Sequence, residues 1–215
     1  MQAFKVTFNL KSPAVVNNDV YLDSLISSAK CREILKDKFF SNSKQAGDIE
    51  LIRSTLDPLI EREFDVYKCS KLFFTDESCA TTNYVKRFEH KYDFYVDANK
   101  KVDEQRGFFK SAYNALYYSV DYSPFAFCEG DLDEIKRLLS DNIQFIGKKA
   151  SQGYGQIKSI EFEEIDKFNW IHNNALVRNV PAKYASRFKG LCDFDIAEIP
   201  LISPYWREER ELCIY

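Results

Sequence analysis

The sequence predicts an α+β fold whose strands and helices follow the order βαββαβ. Three observations carry this reading. Phe4, Val6, Phe8 and Leu10 alternate with Lys5, Thr7 and Asn9, the period of a half-buried strand. Leu132, Ile135, Leu138 and Leu139 recur at the spacing of an amphipathic helix. After that helix comes Gly147-Lys-Lys-Ala-Ser-Gln-Gly-Tyr-Gly155, which holds three of the chain's seven glycines and leads into a further strand.

The elements follow in order. Ser12-Pro13 ends the first strand. Asn17-Asn18-Asp19 offers N-cap oxygens to a helix over about 20–36, with Leu22, Leu25, Ile26 and Ala29 on one face. Residues 37–50 are polar and read as a loop; 51–63 contain Pro58 and match no single period. The composition of 64–74 predicts a second strand. Residues 75–112 are an excursion from the core, a β-ribbon dense in charge and aromatics. Lys86, Arg87, His90, Lys91, Tyr92, Lys100, Lys101, Arg106 and Lys110 lie there, and such interleaving suits phosphates and stacked bases. The other reading is a solvated hairpin with its aromatics packed inward. Within the excursion, Arg106 and Lys110 flank Gly107 at a spacing that can straddle a backbone phosphate.

A third strand spans 115–128 and is interrupted at Ser123-Pro124. Asp131 caps the second helix, with Glu134 at the capping-box position. That helix ends near Asp141-Asn142, and a last strand covers about 156–164. The order βαββαβ is the ferredoxin-like (RRM-like) arrangement, a four-stranded antiparallel sheet with two helices on one face. It predicts one domain over 1–165 with the insertion at about 75–112. Residues 166–215, with Trp170, Trp206, Pro181, Pro200 and Pro204, form an irregular C-terminal layer packed on the same domain.

Composition limits the function. Hydrophobic residues make up 45% and charged residues 29%, as in a soluble globular protein. No apolar run reaches the ~18 residues of a membrane span, and the first residues do not resemble a signal peptide. The expectation is a cytoplasmic protein with no membrane partner. A formal net charge of −3 gives no overall attraction to nucleic acid, so a binder would need one basic face. Glu161, Glu163, Glu164 and the run Arg207–Glu211 hint at an acidic opposite face. Six cysteines without a CxxC pair read as reduced, buried residues, and no metal or cofactor is expected. His90 and His172 have no local motif and read as structural or surface residues. The glycine-rich loop is either a phosphate cradle or a flexible connection with surface lysines. A Walker loop needs a strand before the glycines and a helix after them, the reverse of the order here.

These stretches together resemble a known family. Phe4–Pro13 with Val15-Val16, Leu22–Leu25, Lys100–Lys110, Gly130-Asp131, Ile146–Gly155, Arg178–Pro181 and Ser203–Trp206 follow one another as in the Cas five-like, RAMP-superfamily subunit of type IV (DinG-associated) CRISPR effector complexes. The resemblance implies a non-catalytic scaffold that binds the 5′ handle of the CRISPR RNA (crRNA) and caps a filament of Cas seven-like backbone subunits. It implies a thumb-like insertion within 75–112 and a Cas eight-like small subunit as neighbour. Target DNA and a DinG-type helicase are further candidate partners. The RNA-binding residues it points to are Gly147, Lys148, Lys149, Ser151, Gln152, Gly153, Tyr154 and Gly155. Arg106, Gly107 and Lys110 form a second tier, and Arg178 is a further candidate that reads equally as an ion-pair partner. Backbone N–H groups around Gly153 and Gly155 would hold phosphates, Lys148 and Lys149 would neutralise them, and Tyr154 would stack on a base or pack.

Two other readings compete. A Cas six-like endoribonuclease would cut repeat RNA by acid–base chemistry, but the first helix and its approach have no histidine, only Tyr21 and Lys30. A protein–protein adaptor would use the exposed aromatics and the C-terminal Pro/Trp segment without touching RNA.

Overall fold

The computed structural model describes residues 1–16, 19–37, 39, 49–74, 79–86, 111–203, 205 and 210–215. Strand β1 (Gln2–Leu10) is its centre. Phe4, Val6 and Phe8 are fully buried, as the alternation requires, while Lys5, Thr7 and Asn9 face the other way. β1 pairs antiparallel with β6 (Phe125–Gly130) on one side and with β7 (Ile157–Glu164) on the other. The buried face carries α1 (Leu22–Leu35), α2 (Ile49–Leu56) and α3 (Leu132–Asn142). Leu22, Ile26, Ala29, Ile52, Leu56, Ile135, Leu138 and Leu139 join Phe4, Val6 and Phe8 in one core. Burying each such side chain contributes about 1.5–3 kcal/mol.

The segment expected as a second strand over 64–74 is not one. It opens with a small hairpin, β2 (Arg62–Glu63) and β3 (Val66–Tyr67), whose turn puts Phe64 and Asp65 at φ 53° and 62°. The chain then follows the outer edge of β6 through single bridges, Cys69 to Cys128 and Phe73 to Phe125. Its other backbone groups serve different layers: Lys71 N donates to Val177 O (3.0 Å) and Leu72 N to Val20 O (2.7 Å). Two sets of partners on one short segment prevent a regular ladder.

The expected third strand over 115–128 divides in two. β5 (Ala112–Ser119) leaves the sheet and pairs with β4 (Cys79–Lys86) as an antiparallel ribbon. The chain turns where Asp121 accepts from Ser123 N (2.8 Å), and β6 resumes after Pro124. Residues 87–110, with Arg106, Gly107, Lys110 and His90, lie outside the described residues.

Helix starts also differ from expectation. α1 begins after Tyr21 with no side-chain cap, and Asp19 instead pairs with Lys71 (3.3 Å). Asn17 and Asn18 lie outside the described residues. α3 is capped by Asp131, which accepts from Glu134 N at 3.2 Å. The capping box is only half formed, because Asp131 N donates to Leu59 O and the Glu134 carboxylate turns to Lys30 and Arg137. α2 ends at Leu56, just ahead of the proline at 58 that obscured it in the sequence.

The C-terminal layer is more regular than expected. After the hairpin β8 (Ile171–His172) and β9 (Ala175–Leu176), β10 (Val180–Pro181), β12 (Arg210–Ile214) and β11 (Ile196–Pro200) form an antiparallel sheet in that order. Phe168 and Val177 cover Ala3 on the second face of the central sheet. The His172 ring sits 5.0–5.7 Å from the rings of Phe73, Phe125 and Phe127, a packing position. Cys31, Cys69, Cys128, Cys192 and Cys213 are buried and unbridged. Among the described residues no helix is long and apolar enough to cross a membrane.

Candidate nucleic-acid interface

The glycine-rich loop is built against the exit of β1. Lys148 N donates to Val15 O (2.9 Å) and Gly155 N to Pro13 O (2.8 Å). Ser12 ties the loop's C-terminal end: its hydroxyl donates to Gly153 O (2.6 Å) and accepts from Gln156 N (2.9 Å). The other flank of the β1 exit meets the foot of the ribbon, where Ala14 and Ser119 exchange backbone hydrogen bonds (3.2 and 2.9 Å). The Tyr154 and Tyr118 rings close the join from loop to ribbon at 6.2 Å.

The three glycines have different tasks. Gly147, Gly153 and Gly155 all have positive φ (81°, 85° and 67°). A Cβ on Gly155 would lie 1.9 Å from Ile146 O, and one on Gly147 would lie 2.5 Å from Val15 O. These two positions are glycine because the protein's own backbone passes there. Nothing lies within 4 Å of a Cβ on Gly153, which is exposed at the tip.

The tip is the turn of 3₁₀ helix at Ala150–Gln152, entered through Lys149 at φ 65°. Lys148, Ser151, Gln152 and Gly153 are exposed, whereas Lys149 and Tyr154 are half-buried. The expected amide cradle is not formed at the glycines. Gly153 N donates to Ala150 O (2.9 Å) and Gly155 N to Pro13 O, and Gly155 is buried. Side chains, not those two amides, remain to meet a ligand. Tyr154 lies against Tyr118, so packing accounts for part of its ring.

Arg178 stands away from the surface, in the ion-pair role that the sequence left open. Its side chain is fully enclosed and pairs with Asp23 (3.3 Å). It also donates to Tyr67 O (2.8 Å), Cys69 O (3.0 Å) and Leu201 O (2.8 Å). Burial alone would lower its pKa, but the adjacent Tyr205 and Asp23 more than offset this and hold it above its ordinary value. Tyr205 donates to Asp23 at 2.8 Å, and burial pushes its own pKa well up. The guanidinium joins α1, the segment beside β6 and the C-terminal layer.

The candidate acid–base groups of a nuclease are engaged elsewhere. Tyr21 is buried, its ring stacked on Tyr205 at 4.6 Å, and burial raises its pKa. Lys30 is held by Glu134 at 2.9 Å.

The structure adds Lys11, exposed beside the loop, with its amide on Gln156 O (2.7 Å). A signal for it existed in the sequence. Residues 11–16 and 147–156, which build this surface, contain Lys11, Lys148 and Lys149 and no Asp or Glu. In a chain of net charge −3 that is a local basic face.

A comparison with protein families finds a match. The family described as CRISPR type IV associated protein Csf3 matches residues 96–215, from the excursion through the glycine-rich loop to the C-terminal sheet. No curated protein matches the chain. The match covers more than half of the sequence, and the chain belongs to the Csf3 family of type IV CRISPR-associated proteins.

Proposed function

We propose that the chain is a non-catalytic, Cas five-like RNA-binding subunit of a type IV CRISPR ribonucleoprotein. It holds the 5′ handle of the crRNA on the glycine-rich loop and caps the filament of Cas seven-like backbone subunits. Membership of a type IV CRISPR family supports a complex with other Cas subunits and crRNA. A Cas eight-like small subunit and a DinG-type helicase remain partners of this reading, and its setting is the cytoplasm. The strand order β7-β1-β6, with the segment around Cys69–Phe73 beside β6, supports a ferredoxin-like framework.

The observation that carries the RNA reading is the grouping of Lys11, Lys148, Lys149 and the exposed tip Ser151–Gly153 on segments without Asp or Glu, anchored to β1 and to the foot of the ribbon. Lys148, Lys149 and Lys11 meet phosphates. Ser151 and Gln152 reach a 2′-hydroxyl or a base edge. Gly153 leaves room for the RNA backbone. The engagement of Tyr21 and Lys30 supports binding over cleavage.

Fluorescence anisotropy with single-stranded handle RNA tests this. Lys148→Ala/Lys149→Ala should weaken binding and flatten the log–log salt slope by about 1.4, roughly 0.7 per phosphate lost. Wild-type affinity in the double variant refutes the site. RNA binding indifferent to salt, or cleavage of the RNA by the purified chain, refutes the function.

A further inference from the structure

β7 is the last described strand on its side of the central sheet, and its hydrogen-bonding edge can be followed residue by residue. On β1, Phe8 and Leu10 donate towards β6, to Pro124 O and Tyr122 O (2.8 and 2.7 Å). Lys5, Thr7 and Asn9 therefore turn their backbone groups to β7, opposite Glu163, Glu161 and Ser159. Ile160, Phe162 and Glu164 then direct theirs outward. At its start the outer edge is occupied: Ile157 N donates to Gln144 O (2.9 Å) and Ile146 N to Gly155 O (2.8 Å). Beyond the register shift at Asn9/Leu10, no described residue pairs with it. A groove of about 400 Å³ lies where the pairing stops, between Ser140, Ile143, Gln144 and Phe145 on one wall and Gln156–Ile160 on the other.

The two faces beside this edge differ. Glu161 and Glu163 stand exposed on the face shared with Lys5 and Thr7. Ile160 and Phe162 lie half-buried on the helix side, where Phe162 meets Phe4 at 6.1 Å. A strand laid along β7 would set alternate side chains against carboxylates and against this apolar shelf.

We propose that the outer edge of β7 from Lys158 to Glu164 is a strand-addition site for an extended segment of a partner protein. That segment alternates basic and aliphatic residues and continues the line begun by 143–146. Charge complementarity to Glu161 and Glu163 sets its basic positions, the Ile160/Phe162 shelf sets its aliphatic ones, and the free backbone groups supply the ladder. The site lies on the side of β7 that faces away from β1.

The test uses a labelled peptide of roughly eight residues, an ordinary strand length, alternating Lys and Val, with a Glu-for-Lys counterpart. Anisotropy should show the Lys peptide binding at least about tenfold tighter than the Glu peptide. Hydrogen exchange should show the amides of Ile160, Phe162 and Glu164 unprotected alone and protected with the Lys peptide. Ile160→Pro removes an outward donor without touching the β1 ladder and should abolish peptide binding in protein that remains folded. Should that variant misfold, Glu161→Lys/Glu163→Lys carries the test on exposed side chains and should reverse the peptide preference. Handle-RNA affinity of folded Ile160→Pro should stay at the wild-type value, which separates this site from the RNA reading. Failure of both peptides to bind, equal binding of both, or undiminished binding to folded Ile160→Pro overturns the proposal. A dimer of the chain that Ile160→Pro dissolves assigns the edge to a second copy and overturns it as well.

Discussion

Replacing each loop glycine by alanine should separate fit to the protein from room for a ligand. Gly155→Ala places a Cβ 1.9 Å from Ile146 O while the backbone sits at φ 67°. The left-handed conformation costs alanine about 1–2 kcal/mol. The clash cannot be relieved by a rotamer, because the obstacle is backbone. The loop must move, and it takes with it the bonds from Ile146 N to Gly155 O and from Gly155 N to Pro13 O, both 2.8 Å. Losing them costs about 1 kcal/mol each. Reduced freedom of the unfolded chain returns about 0.5 kcal/mol. The net expectation is about 3 kcal/mol of destabilisation. Gly153→Ala meets nothing within 4 Å and pays only the conformational term, about 1 kcal/mol after the same correction. Urea unfolding of both variants measures the difference. Loss of stability within about 0.5 kcal/mol of each other, on the scale where distant sites simply add, would refute this division of roles. Handle-RNA binding supplies the converse: on the proposed RNA reading, folded Gly153→Ala should bind more weakly.

Three other expectations follow from named contacts. Arg178→Ala leaves Asp23 buried without its partner and should cost about 3–5 kcal/mol in urea unfolding. In protein that remains folded, the salt slope of RNA binding should not change. Lys11→Ala should leave stability unaltered and reduce that slope by about 0.7, as for one single-strand phosphate contact. The α1–α3 contact should be acid-sensitive: the Arg137 and Lys30 hydrogen bonds depress Glu134 from 4.5 to about 2, and Arg137 likewise lowers Glu33. Both carboxyls are depressed in the folded state, so their contribution is present above their ordinary range and is lost on acidification, for Glu134 as pH falls towards about 2. Carboxyl titration by NMR in the Arg137→Ala variant should return the Glu134 midpoint towards 4.5.

Elements specified by neighbouring residues were legible in the sequence. β1 was visible because one face is buried and the other is not, and α3 because Asp131 caps a clean apolar stripe. The misreadings came where the deciding contact lies far along the chain or breaks a local habit. The turn at Phe64-Asp65 takes positive φ without glycine, so nothing marked the break in 64–74. Ser123-Pro124 marked an irregularity within 115–128 but not a full division, which depends on a buried Asp121 holding the turn. Arg178 read as a possible surface cation because its acceptors, Tyr67 O, Cys69 O and Leu201 O, come from remote segments.

The glycine-rich loop was legible as a loop, but not in its division of labour, which Val15 O and Ile146 O impose from outside it. That division changes where specificity for a ligand must reside. Gly147 and Gly155 fit the loop to its own protein, and the amides of Gly153 and Gly155 are spent on Ala150 O and Pro13 O. A phosphate-cradle mechanism based on those amides would bind any phosphate chain alike. With the amides removed from consideration, discrimination rests on the side chains at 148–152 and on Lys11. Their lysines give affinity without base preference, and Ser151 and Gln152 carry the polar groups able to read a base edge or a 2′-hydroxyl. Swapping Ser151 and Gln152 for alanine should therefore narrow the difference in affinity between handle RNA and its DNA counterpart, while the lysine variants weaken both together. Equal losses for RNA and DNA in the Ser151→Ala/Gln152→Ala variant would place the discrimination elsewhere.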